Sequence, residues 1–172
     1  TQYLNGVSAT PPIKLSERVD REGEGSIRIV DAWIRGPNGD RNSTVRSGDA
    51  LTFVFEYECN SAEPRPDEVI CWARIKSVYG QTVCFLNSYW SGSKLPVGTS
   101  REAWTCSIDR FALTPGHYIL DLDCNTFKRP IDHIQEAMTF DVRQRSESIW
   151  ACRKCHSIRP RNHRISKVFL PI

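Results

Sequence analysis

The chain has no apolar run that approaches the roughly 20 consecutive residues a membrane-spanning helix requires. It has no basic-then-apolar leader of the secretory kind. Three signatures of common enzymes are also missing. There is no Gly-x4-Gly-Lys-Ser/Thr loop to cradle phosphates, no Gly-x-Ser-x-Gly elbow to raise a nucleophilic serine, and no His-Glu-x-x-His zinc helix. Sustained helical periodicity is almost absent, and no internal repeat of solenoid type is visible. The first residue is Thr1 rather than Met, which we read as either a processed chain or a domain excised from a longer protein.

With 25% charged and 40% hydrophobic residues the composition is that of an ordinary globular domain, long enough for one real core. The net charge of +3 is unevenly spread. From Ser146 to Ile172 there are six Lys/Arg against Glu147 alone, about +5, while the body carries 17 Lys/Arg and 19 Asp/Glu. A body that is not basic argues against nucleic acid as a partner. The tail is read as a solvated segment, or as one that meets an anionic lipid, ligand or acidic surface. Cysteine is not scarce, but seven is an odd number for a disulfide framework. Cys59, Cys71, Cys84, Cys106 and Cys124 fall inside expected strands, where cysteine behaves as a small hydrophobe. Free thiols in a reducing compartment are the expectation, and a secreted, bridged sandwich is the alternative.

What is present is strict alternation. In Arg46–Cys59 (RSGDALTFVFEYEC), Leu51, Phe53, Phe55 and Tyr57 share one face, and Thr52, Glu56 and Glu58 mark the other. In Leu113–Cys124 (LTPGHYILDLDC), Tyr118, Leu120 and Leu122 alternate with His117, Asp121 and Asp123. Each stretch follows a tight-turn signal, as the wall of a sandwich with one dry and one wet face would. Further strands are expected over Ser26–Arg35, Val69–Lys76, Thr82–Tyr89, Arg101–Ile108, Ala137–Val142 and Lys167–Leu170. A phase slip predicts a β-bulge near Val30 or Asp31, and Tyr79-Gly80-Gln81 reads as a hairpin turn. Pro64–Glu68, Ser91–Gly98 and Thr126–His133 read as loops, with one short helical turn allowed over Ile131–Glu136. About eight evenly spaced strands indicate an all-β, antiparallel β-sandwich of immunoglobulin-like or jelly-roll type. The domain reading is a linker or approach segment at 1–22, the sandwich at 23–145, and a basic tail with a final strand at 146–172.

Asp121 and Asp123 share a strand face and fit an acid/base pair, a cation site or simply a hydrophilic surface. Cys152-Arg-Lys-Cys155-His156 matches c-type haem attachment and half of a zinc ribbon. Cys152, Cys155, His156 and His163 make four potential ligands, but their spacing fits no known finger, so neither a metal nor a cofactor is assigned. The aromatic residues are more suggestive. Trp72 takes the polar phase of its strand beside Arg74, and Tyr89 and Trp90 stand at a strand end beside Asn87. Sugars offer C–H faces that stack on rings and hydroxyls that bridge to Asp, Asn and Arg. The competing reading is a tryptophan in the core.

Collinear motifs then point to a family. Arg21-x-Gly23-x-Gly25-x-x-Arg28-Ile29, Arg46-Ser-Gly48-Asp-x-Leu51, Val83–Asn87 (VCFLN), Leu113-x-Pro115-Gly116-x-Tyr118-x-Leu120-Asp121 and Lys167-Val-Phe-Leu170-Pro171 together resemble the C-terminal domain of Wzt, the ATP-binding subunit of polysaccharide ABC exporters. The resemblance spans about residues 18–172 and implies a non-catalytic β-sandwich fused behind a nucleotide-binding domain. It implies a location in the cytoplasm, peripheral at the inner face of the bacterial inner membrane. The ligand it implies is the non-reducing end, often capped, of a lipid-linked O-antigen polysaccharide. The partners it implies are the nucleotide-binding domain, the membrane subunit and a second copy in a homodimer that exchanges its last strand. The Cys-x-x-Cys-His insert and basic tail depart from that pattern. Strand phase, not the resemblance, selects Trp72, Arg74, Asn87, Tyr89, Asp121 and Asp123 as the carbohydrate-binding face. The alternatives are a purely structural dimerisation module, and an appended module of a secreted polysaccharide-active enzyme.

Overall fold

The structure, a computed structural model, describes residues 14–36, 38–60, 69–92, 95, 97 and 101–145 and the backbone of 167–171. The Cys152, Cys155, His156 and His163 set, most of the basic tail and the loop at 64–68 lie outside the described residues. Among the described residues ten strands form: β1 (Ile27–Arg35), β2 (Arg41–Asn42), β3 (Thr44–Arg46), β4 (Leu51–Cys59), β5 (Ile70–Ser77), β6 (Thr82–Asn87), β7 (Glu102–Ile108), β8 (Gly116–Asn125), β9 (Pro130–Arg143) and β10 (Lys167–Pro171). They build two five-stranded sheets, ordered β10-β7-β4-β1-β2 and β3-β9-β8-β5-β6. All pairings are antiparallel except β3 with β9. This is the β-sandwich that the alternation calls for, with two short strands, β2 and β3, added to the eight expected.

The core lies between the sheets. Leu51, Phe53, Phe55 and Tyr57 of β4 and Tyr118, Leu120 and Leu122 of β8 all point into it. Tyr57 stacks on Trp104 at 4.1 Å between ring centres, an aromatic pairing that adds about 0.5–1.5 kcal/mol to the burial itself. Cys71, Cys106 and Cys124 are buried in the same core, and the five described cysteines are free thiols. Burial pushes the Cys71 and Cys124 thiols above their ordinary range, because a thiolate there would lose its hydration.

The expected bulge is present: the β1–β4 register shifts between Ile29 and Asp31, so Ile27 and Ile29 face the core in one phase and Ile34 in the other. The Tyr79-Gly80-Gln81 turn also forms, with Gly80 at φ 78° and Gly80 N–H donating to the Ser77 carbonyl at 2.9 Å. One expectation fails. Ile131–Glu136 is not a helical turn but part of β9, and the stretch read as a loop from Thr126 is strand from Pro130 onward. The period misleads there because Glu136 sits at φ 51° and the β8–β9 register shifts opposite it, between Leu120 and Leu122. A bulge breaks alternation as a helix would.

Several family-like motifs turn out to be scaffold. Arg21 is buried against Asp132, and Glu22 forms a β-bridge with His133, so the described part of the approach segment runs along β9. Gly23 has φ 124°, and a Cβ placed there would lie 2.3 Å from the Ile131 carbonyl oxygen. Gly23→Ala is therefore expected to cost about 1–3 kcal/mol in backbone strain, seen as a lower urea midpoint; an unchanged midpoint would refute the packing account. The Tyr118 hydroxyl donates to the Thr114 carbonyl at 2.8 Å, the kind of corner that fastens sandwich strands.

Arg18 reaches from the same segment to the Glu136 carbonyl at 3.0 Å and pairs with Asp20 at 2.5 Å. The hydrogen bond from Arg18 lowers the Asp20 carboxyl to about 2. The folded value is below the unfolded one, so this contribution is fully present above about pH 4 and is lost as pH falls through about 2. Carboxyl-carbon NMR titration is expected to find Asp20 near 2 and, in Arg18→Ala, near the ordinary ~4.

Candidate functional site

On β5 the residues Cys71, Ala73 and Ile75 point into the core, so Trp72, Arg74 and Lys76 project from the outer face of the second sheet. Trp72 is thus not a core tryptophan. Its cross-strand neighbours are Asn87 on β6 and Asp123 on β8, and Asp123 in turn lies opposite His133 on β9. Directly opposed residues share a face, so His133, Asp123, Trp72 and Asn87 form one row across four strands. The adjacent row holds Asp121, Arg74 and Phe85.

The aromatic residues continue from Trp72. Phe85 meets it edge-on at 5.4 Å, and Trp90 meets Phe85 at 5.6 Å. Tyr89 meets Phe127 edge-on at 5.2 Å. Trp90, Phe127 and Tyr89 are 71%, 64% and 57% exposed, a solvent-facing aromatic platform that burial does not explain. Local chemistry sets it in place. The Asn87 side-chain oxygen accepts from Tyr89 N–H at 2.8 Å and ends β6 in a short 3-10 turn, Tyr89–Ser91. Buried Ser88 locks that turn to β5: its hydroxyl accepts from Cys71 N–H at 3.0 Å and its own N–H donates to the Cys71 carbonyl at 3.1 Å. Phe127 rides on the β8–β9 turn, where the Thr126 hydroxyl accepts from Lys128 and Arg129 N–H, both at 3.3 Å.

The polar groups divide into two kinds. Asp121 is buried, and one carboxylate oxygen takes both Lys76 Nζ at 2.8 Å and Glu136 N–H at 2.9 Å. It organises the bulge and the lysine. Asp123 is about a quarter exposed, accepting from Asn125 Nδ2 at 2.9 Å while its other oxygen meets His133 Nδ1 at 2.9 Å. Arg74 is exposed and forms no ion pair among the described residues. The Trp72 indole N–H is buried and has no hydrogen-bond partner among the described residues, a donor whose neglect costs about 1–3 kcal/mol. Stacking surfaces, planar hydrogen-bonding groups and one open cation therefore converge on a single sheet face.

Of the six residues selected by strand phase, Trp72, Arg74 and Asp123 lie on this face, Asp121 and Asn87 are buried within it and at its edge, and Tyr89, expected at the end of a strand, lies in the 3-10 turn beyond because Asn87 ends β6. Four more complete it. Trp90 adjoins Tyr89 in sequence, and an aromatic in a turn, Phe127 in Asn125-Thr-Phe-Lys, was a usable signal. Phe85 and His133 come in only through cross-strand register. Asp121 and Asp123 are each engaged by a separate partner, Lys76 and His133. No group of three or more metal-ligating side chains exists among the described residues.

Comparison with known proteins agrees with this architecture. No curated protein sequence matches the chain. Among solved structures, the crystal structure of the C-terminal domain of Wzt superposes with a TM-score of 0.64 at 18% identity, covering 82% of this chain and 90% of that one, which establishes a shared fold. The family model described as the Wzt C-terminal domain matches residues 18–152, most of the sandwich and its flanks, and the chain belongs to that family.

Proposed function

We propose that this chain is a non-catalytic carbohydrate-binding domain that recognises the non-reducing end of a lipid-linked O-antigen polysaccharide before export by an ABC transporter. One observation carries the reading: the outward row of His133, Asp123, Trp72 and Asn87, continued by the exposed rings of Trp90, Tyr89 and Phe127. The rings stack on the C–H faces of sugar units, Asp123 and His133 bond hydroxyls, Asn87 acts by holding the Tyr89 turn, and Arg74 pairs with an anionic terminal group where the glycan carries one. Asp121 acts through Lys76 and the β9 bulge rather than by contact. Membership of the Wzt family supports association with the components of an ABC exporter; in our reading these are a nucleotide-binding domain and a membrane subunit, met at the cytoplasmic face of the inner membrane. β10 pairs with β7 at the edge of the first sheet. The same strand from a second copy would make the same hydrogen bonds, and this supports an exchanged homodimer.

Calorimetric titration of the whole chain with O-polysaccharide from its own strain, with and without the terminal group, tests the function. Binding that depends on the terminus is expected. A dimer that binds neither preparation would leave only the structural dimerisation role.

A further inference from the structure

Besides the outer sheet face, the sandwich has a groove of about 930 Å³ along its side, within the roughly 300–1,000 Å³ of ligand sites. It lies between β1 and the stretch of β9 that β3 leaves unpaired, because β3 covers only Asp141–Arg143. Trp33 lines it, beyond the β1 bulge, half-buried and outward-facing. The Arg41 guanidinium lies 4.1 Å above the Trp33 ring and bonds Asp31 at 2.6 Å. Asp31 also accepts from Ala32 N–H at 2.8 Å, which closes this edge of β1 to strand pairing. Arg101 flanks the groove and is paired with Glu56 at 2.5 Å.

The two guanidinium groups here, Arg41 and Arg101, are already balanced by carboxylates, so the part of the groove around Trp33 does not favour a free anion, and Lys14 is the lining cation left without an ion pair among the described residues. Its chemistry is a ring face under a movable planar side chain, flanked by charged groups with spare hydrogen-bonding capacity. Arg41 remains 57% exposed, and a cation–π contact at such a site is worth only ~0.5–1 kcal/mol, so a ligand displaces it cheaply. Thr139 is exposed, lines the groove and also lies opposite Ile119 on the outer face, so the two surfaces adjoin around β9.

We infer that this groove is a second saccharide-binding site, which takes an uncharged pyranose unit from the interior of the same polysaccharide whose end is held on the outer face. The inference rests on the carbohydrate reading above. A pyranose C–H face replaces Arg41 over Trp33, and Arg41, Asp31 and Arg101 bond its hydroxyls. Two sites on one chain raise affinity for long polysaccharide through effective concentration, without tightening either site alone.

The test compares two probes on the full chain: the strain's purified long O-polysaccharide, and the short oligosaccharide of its terminal units. Trp33→Ala and Arg41→Ala are expected to weaken long-chain binding at least tenfold and to leave short-oligosaccharide binding within twofold. The Trp33 indole signal, assigned with Trp33→Phe, is expected to shift only with the long probe. Unchanged long-chain affinity in both variants, or an indole signal that stays still, overturns the second site. If Trp33→Ala fails to fold, Arg41→Ala and the indole signal of the unmodified chain decide. Should Trp72→Ala lose the short probe while the groove variants behave like the parent, the groove inference fails and the outer-face reading stands. A parent chain that binds neither probe removes both.

Discussion

Asp132→Ala is expected to lower the stability of the domain by about 3–5 kcal/mol, the largest stability effect of any single substitution proposed for it. The Arg21–Asp132 pair is nearly sealed from water, the two side chains being 5% and 3% exposed. Asp132 accepts from Arg21 Nε at 2.8 Å, from Arg21 Nη2, and from Ile29 N–H at 2.7 Å. Arg21 in turn donates to the carbonyls of Leu15 and Ile29, at 3.1 and 2.8 Å. One carboxylate on β9 thus binds the approach segment and the backbone of β1 just before its bulge, and joins the two sheets at that edge. Removing it strands a buried guanidinium and an unpaired amide. A domain of this kind has only about 5–15 kcal/mol in total, so the variant is expected to unfold at far lower urea with the slope of the transition unchanged. A loss below about 1 kcal/mol would show that the pair merely offsets its own desolvation. Arg21→Met together with Asp132→Leu, which removes both charges, is expected to recover much of the loss.

Trp72→Ala is expected to weaken glycan binding by about 2–4 kcal/mol, roughly 30- to 1,000-fold, with little change in fold. Trp72 lies on the outer face, edge-on to Phe85, between Asp123 and Asn87 in register. Central aromatic anchors with a polar surround carry most of the energy of an interface. Trp72→Phe keeps a smaller ring at the same place and is expected to lose about tenfold, less than Trp72→Ala, as stacking area requires. Near-UV circular dichroism and calorimetric titration decide the matter. A Trp72→Ala domain that keeps its affinity would move the site elsewhere on the molecule.

The face that carries the proposed site is partly legible in the sequence. Alternation puts Trp72 and Arg74 opposite Cys71, Ala73 and Ile75, and puts Asp121 and Asp123 opposite Leu120 and Leu122. Strand phase is a local property, and it survives folding wherever one face of a strand is dry. The motifs that tie the chain to its family are equally legible, yet their role is not. Arg21, Gly23 and Tyr118 prove to be fasteners of the scaffold, which is why they mark a fold more than a ligand. The failure at Ile131–Glu136 has the same root. A bulge held by the Asp121 carboxylate, from a neighbouring strand, overrides a period that the local residues suggest.

Composition, period and turn residues alone determined that this chain is a β-sandwich, where most of its strands run, and which side chains point out of the second sheet. Only the tertiary structure decided which outward residues meet. Cross-strand register brought His133 to Asp123 and Phe85 to Trp72. Two turns distant in sequence brought Tyr89 against Phe127. The two sheets stacked edge over edge opened the groove around Trp33. Local sequence encodes the direction of a side chain. Neighbourhood depends on how strands far apart in sequence align, and that alignment is settled by the burial of the whole core at once.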